Sequence, residues 1–183
     1  GIYITENSNP IINYCIFAEN IAETGGGISC FDGSNPIINY TNISYNSAFR
    51  GAGVASFYNS DPNFNYTQII SNNADSTGGG VFSAYASPLF NNCEISENMA
   101  PVGAGITIGS DDTPIFLTTT IKNNISSVAG GGIYLNGVSP QISGITIQGN
   151  SSEIGGGIYV ENSFSEFFEL LIMSNSADYG GGI

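Results

Sequence analysis

Gly1-Ile-Tyr-Ile-Thr5, Pro10-Ile-Ile-Asn13 and Cys15-Ile-Phe-Ala18 are three short β-forming runs with side chains alternating at period two. Together they make one unit that returns along the whole chain. Pro10, Pro36, Pro62, Pro88, Pro114 and Pro140 stand 26 residues apart. Pro101 lies off the series, and Ser165 takes the next slot one residue early. Two residues after each anchor come Ile12, Ile38, Phe64, Phe90, Phe116, Ile142 and Phe167. Five after come Cys15, Thr41, Thr67, Cys93, Thr119, Ile145 and Leu170; seven after come Phe17, Ile43, Ile69, Ile95, Ile121, Ile147 and Ile172. Ten after come Asn20, Asn46, Asn72, Asn98, Asn124, Asn150 and Asn175, without exception. Before each anchor a glycine leads into Ile2, Ile28, Val54, Val81, Ile106, Ile133 or Ile158. Spacing varies by one residue in only two places per unit, and both are expected to be loops.

A period of this length with short strands and no helical pattern predicts an all-β, right-handed parallel β-helix, a solenoid. It has three short strands per rung of ~26 residues and about seven rungs. The chain reads as one uncapped segment, with rungs near 1–26, 27–52, 53–79, 80–104, 105–131, 132–156 and 157–181. Like positions stack at the interstrand spacing, giving a column about 33 Å tall. The apolar series fill its interior. The seven asparagines are expected to form a structural ladder, each amide bonded to the ones above and below, because a buried amide must be satisfied.

Composition narrows the function. The 183 residues carry 15 acidic and two basic side chains, Arg50 and Lys122, for a net charge of −13. Two cations cannot build a basic surface, so nucleic acid and anionic membranes are excluded as partners. Histidine is absent, which removes the commonest general base and metal ligand. No apolar run approaches the ~20 residues of a membrane span.

The pairing of Gly-Gly-x-[Ile/Val] with x-x-Asn is carried here by Phe17-Ala-Glu-Asn20, Ile43-Ser-Tyr-Asn46, Ile69-Ile-Ser-Asn72, Ile95-Ser-Glu-Asn98, Ile121-Lys-Asn-Asn124, Ile147-Gln-Gly-Asn150 and Ile172-Met-Ser-Asn175. It resembles the GGA[ILV]/FxxN repeats of polymorphic outer-membrane proteins, found in large bacterial surface proteins. The chain uses Ile more often than Phe before the ladder, and Gly-Gly-Gly more often than Gly-Gly-Ala. The resemblance implies an extracellular or cell-surface stalk or passenger region, often adhesive.

No catalytic residue, cofactor or metal ligand is expected. Glycoside hydrolysis needs two facing carboxylates, and along the outward first-strand rows (Tyr3, Ser29, Ala55, Phe82, Thr107, Tyr134, Tyr159, then Thr5, Phe31, Phe57, Tyr85 or its neighbour, Gly109, Asn136, Glu161) only Glu161 is acidic. Asp111-Asp112, with Asp61 and Asp32, makes at most a weak calcium site. Cys15, Cys30 and Cys93 read as buried thiols, since Cys15 and Cys93 lie three rungs apart, beyond disulfide reach. Two exposed aromatic rows offer contact surfaces: Tyr14, Tyr40 and Tyr66 in one, Tyr134 and Tyr159 in the other. A structural or adhesive segment is the first reading. A filament subunit stacking head-to-tail is the second, and a polysaccharide lyase or hydrolase the third. Partners are accordingly flanking repeats, copies of the chain itself, surface glycans or proteins of a neighbouring cell.

Overall fold

The structure is a computed structural model that describes residues 1–109 and 112–183. The first turn of chain holds four strands: β1 (Ile2–Ile4), β2 (Ile11–Asn13), β3 (Ile16–Ala18) and β4 (Ile21–Thr24). Each begins a stack of parallel strands. The β1 and β3 sheets each have seven strands; the β2 and β4 sheets have five. The β2 sheet stops at Ile115–Leu117, and Gln141–Ser143 pairs separately with Glu166–Phe168. Beyond Ile125–Ala129 the β4 stack continues only as single bridges, Ile125 to Ser151 and Ser151 to Ser176 among them. Register follows the sequence period: Ile2 pairs Ile28, and Ile12 pairs Ile38.

The result is the expected parallel β-helix, with one strand more per turn than the sequence shows. The β4 runs, such as Ile21-Ala-Glu-Thr24 and Ser47-Ala-Phe-Arg50, are too polar to announce themselves. Their inward residues are alanines (Ala48, Ala74, Ala100), forming a small cluster separate from the main core. The main core stacks Ile38, Phe64, Phe90 and Phe116 under the β2 sheet, and Ile43, Ile69, Ile95 and Ile121 under the β3 sheet. The rings of Phe64 and Phe90 lie 5.2 Å apart and nearly coplanar in tilt, at 6°. One of the two sites of length variation is a bulged strand rather than a loop. Asn73–Thr77 and Ile125–Ala129 each hold five residues, and their pairings shift register.

Corners are made by single residues of positive φ. Between the β2 and β3 sheets these are Tyr14, Tyr40, Tyr66, Asn92, Thr118, Gly144 and Glu169. Only glycine adopts this region without strain. Here the strain is offset by ladder bonds made at the corner, such as Tyr40 N donating to Asn65 O at 2.9 Å. The third glycine before the first strand answers a different need. A Cβ on Gly53 would lie 2.5 Å from Gly80 O and 3.0 Å from the Asn72 amide nitrogen, so only glycine lets the turns close over the ladder. Proline at the start of the second strand still joins the ladder through its carbonyl: Ile37 N donates to Pro10 O at 3.0 Å.

Some outward positions of the first strands are not exposed. Ser29, Ala55 and Thr107 are buried, because the chain entering each first strand folds across them; a Cβ on Gly51 would touch the Ala55 side chain at 2.9 Å. The register also places Ala84, not Tyr85, beside Phe57 and Gly109.

Candidate functional site

The seven asparagines line up as one continuous interior ladder. Asn72 shows the pattern: its amide nitrogen donates to Asn98 Oδ1 at 3.0 Å and to Ile43 O at 2.9 Å, and its backbone N–H donates to Asn98 Oδ1 at 2.9 Å. Its own Oδ1 accepts from the backbone and side-chain nitrogens of Asn46, both at 3.0 Å. The same bonds run from Asn20 through Asn124 and Asn150 to Asn175. Five of the seven are fully buried, and the two end members are half-buried.

Three further ladders went unread in the sequence although their residues recur at the same period. Asn13, Asn39, Asn65 and Asn91 form a second amide ladder on the outer side of the β2 sheet, with Nδ2 to Oδ1 distances of 2.7, 3.0 and 3.0 Å. In the turn before each proline, Ser8 N donates to Ser34 Oγ and Ser34 N to Ser60 Oγ, both at 3.2 Å. Beside it, Asn35 N donates to Asn9 Oδ1 and Asp61 N to Asn35 Oδ1, both at 2.6 Å.

Asp112 occupies a serine-ladder position. Its Oδ1 accepts from Ala86 N at 2.7 Å, and its other oxygen is buried with no partner among the described residues. Burial pushes its pKa up to about 7, more than the hydrogen bond from the Ala86 backbone pulls it down. The calcium expectation therefore meets a buried structural carboxyl at Asp112; Asp111 lies outside the described residues. Among the described residues no three His, Cys, Asp or Glu side chains gather as metal ligands.

The first tyrosine row is present. Tyr14, Tyr40 and Tyr66 have ring centroids 5.1 and 5.0 Å apart and tilts of 8° and 5°. Their faces are turned onto one another, so the row offers solvent its edges and hydroxyls. Tyr134 and Tyr159 also stack, at 5.5 Å, but are half-buried. The Tyr134 hydroxyl donates to Glu161 Oε2 at 2.5 Å and accepts from Asn136 Nδ2 at 3.1 Å. Burial, then that carboxylate, raises the Tyr134 pKa to about 12.

All three cysteines are free thiols. Burial pushes Cys30 up to about 12 and Cys93 to about 11, so neither is a nucleophile near neutrality. Cys15, expected to be buried, is half-buried because its turn is stacked on one side only. Lys122 is held by Glu94 at 3.0 Å. No helix of the structure is long and apolar enough to cross a membrane.

Comparison with known families agrees with this architecture. The chain is similar to the Chlamydia polymorphic membrane protein repeat over residues 144–161, which span the Gly155–Gly157 passage and the ladder residue Asn150. No curated protein and no solved structure matches it. The model of the right-handed β-helix region matches residues 1–121, and the chain belongs to that family.

Proposed function

We propose that this chain is a non-catalytic stretch of the column of a bacterial cell-surface protein, holding adhesive surfaces away from the cell. The observation that carries the reading is the interior ladder. Seven turns are tied by bonds that each join one turn to the next, alongside the continuous parallel sheets. Such a device stiffens a rod along its axis and serves no local chemistry. Similarity to a polymorphic membrane protein repeat supports placement at the surface. The stacked tyrosines fit the same role, clipping corners together.

The test joins two measurements. Protease or antibody added to intact cells should reach the repeat. The purified protein, incubated with neutral and acidic polysaccharides, should release no new reducing ends or unsaturated sugars. Cleavage that Glu161→Gln abolishes would replace the column with an enzyme, and a repeat that stays inaccessible on intact cells would remove it from the surface.

A further inference from the structure

One level of the column breaks a pattern that every other level keeps. In the β2 sheet the residue after the proline slot donates to the proline carbonyl one turn back. Ile37 bonds Pro10, Asn63 bonds Pro36, Leu89 bonds Pro62, Ile115 bonds Pro88 and Glu166 bonds Pro140, at 2.9–3.1 Å. Gln141 makes no such bond to Pro114 among the described residues. At the corner, Asn92 N donates to Leu117 O at 2.8 Å and Gly144 N to Phe168 O at 3.2 Å, while Thr118 N makes no bond to Ser143. The fifth and sixth turns therefore face each other on this side as two open strand edges.

The side-chain ladders of this face stop at the same level, and the sequence gives the reason. Ser34, Ser60 and Ser163 each accept a backbone N–H from the neighbouring turn, but position 138, the acceptor slot for Asp112 N, holds a valine. The series of Asn9, Asn35 and Asp61 runs on through Ser87 to Thr113 and goes no further. The outer amide ladder ends at Asn91, because Leu117 and Ser143 follow. What remains is a cleft of about 580 Å³, with Pro114, Ile115 and Leu117 on one side and Ser139, Gln141 and Ser143 on the other. Ile115 and Leu117 are left half-exposed. The Gln141 side chain turns away from the cleft, its Nε2 donating to Glu166 Oε2 at 2.6 Å.

The other faces are joined at this level. Ile106–Gly109 pairs with Ile133–Asn136, and Thr120–Lys122 with Thr146–Gln148, residue for residue. Asn124 Nδ2 donates to Asn150 Oδ1 at 2.9 Å, and Ile125 and Ala129 bridge to Ser151 and Ile154. The break is one-sided.

We propose that the column is jointed at this seam. The first five turns and the last two move as two bodies, pivoting on the inner ladder and the β4 side while the β2 face opens and closes. Closing removes the apolar surface of Ile115 and Leu117 from water. Opening leaves the strand edges bonded to water, which costs a solvated backbone group little. Two states of similar free energy are then both populated. A rod held stiff by its ladder thus flexes sideways at one fixed height. The joint is a property of the column itself and does not depend on where the column is displayed or what it binds.

Pairs of spin labels read by pulsed dipolar spectroscopy test it. The labels sit on cysteines introduced with Cys15→Thr, which leaves only buried native thiols. Ile11→Cys with Glu166→Cys spans the seam on the β2 face, about 29 Å apart. Ile21→Cys with Ser176→Cys spans the same turns on the β4 face, and Ile11→Cys with Ile115→Cys stays within the first five turns. All five side chains are exposed. The first pair should give a distance distribution about twice as broad as the other two. Leu117→Asn with Ser143→Asn, two surface changes that carry the outer amide ladder over the seam, should narrow it to their width. A first pair as narrow as the others, or one that the double substitution leaves broad, overturns the joint. Equal broadening of both spanning pairs would mean fraying of the last turns and would overturn it as well.

Discussion

The two amide ladders, one inside the column and one outside it, use the same side chain at the same period and differ in what surrounds them. Inside, Asn98 bonds to Asn72, Asn124 and the Ile69 carbonyl, and its oxygen serves two donors. Outside, Asn65 bonds to Asn39, Asn63 and Asn91 through side chains alone. The inner ladder fills all seven turns; the outer one ends where Leu117 takes the next position. Amide stacking is common to both. Burial and the coupling to backbone groups decide which one the fold depends on, because a buried group left unbonded has no water to turn to.

Breaking the inner ladder should have the largest effect. Asn98→Leu strips both Asn72 nitrogens of the Oδ1 they share and leaves Asn124 Oδ1 with the backbone N–H of position 98 as its one remaining ladder donor. A loss of about 3–5 kcal/mol is expected, read as a fall in melting temperature of roughly 10 °C or more. Asn98→Ser should cost less. An unchanged melting temperature for both would remove the ladder from the account of stability.

Asp112 sharpens the same contrast, as a carboxyl at a position where Ser8, Ser34 and Ser60 carry hydroxyls in other turns. Unfolded, it ionises near pH 4; folded, near 7. Between these values the folded state binds more protons, so its contribution to stability falls as pH rises from about 4 to about 7 and stays low above. Asp112→Ser, which restores the residue found at Ser34 and Ser60, should add roughly 2–4 kcal/mol at pH 8 and little at pH 4. Denaturant titrations at the two pH values decide it; an equal gain at both would mean that ionisation is not the cause.

The corner row comes next. Tyr40 stacks on two neighbours, and Tyr40→Ala should cost about 1 kcal/mol, with Tyr40→Gly costing less because glycine relieves the positive φ of 49°. Asn65→Ala in the outer ladder should cost least, about 0.5 kcal/mol. If it matched Asn98→Leu, the distinction between the ladders would collapse.

Much of this was legible because the solenoid translates sequence period directly into stacking. Asn20 to Asn175 recur without exception, and the inward Ile and Phe series name the core. The fourth strand was not legible, since its alanines and serines carry no hydrophobic alternation. Nor were the outer rows, whose equivalence is interrupted by Leu117, Ser143 and Phe168. Orientation was harder still: the tyrosine spacing gives a row, but only the folded structure shows its faces closed on each other.

The sequence alone determined the fold, the register and the inner ladder, because a repeat must place equivalent residues one above another. Tertiary structure decided what does not repeat. The chain leading into each first strand buries Ser29 and Thr107, and Asp112 is sealed where serines sit in other turns. The seam between the fifth and sixth turns exists because Val138 and Leu117 stand where other turns carry bonding side chains. Such features depend on which unlike residues meet across turns, and a period records only which like residues do.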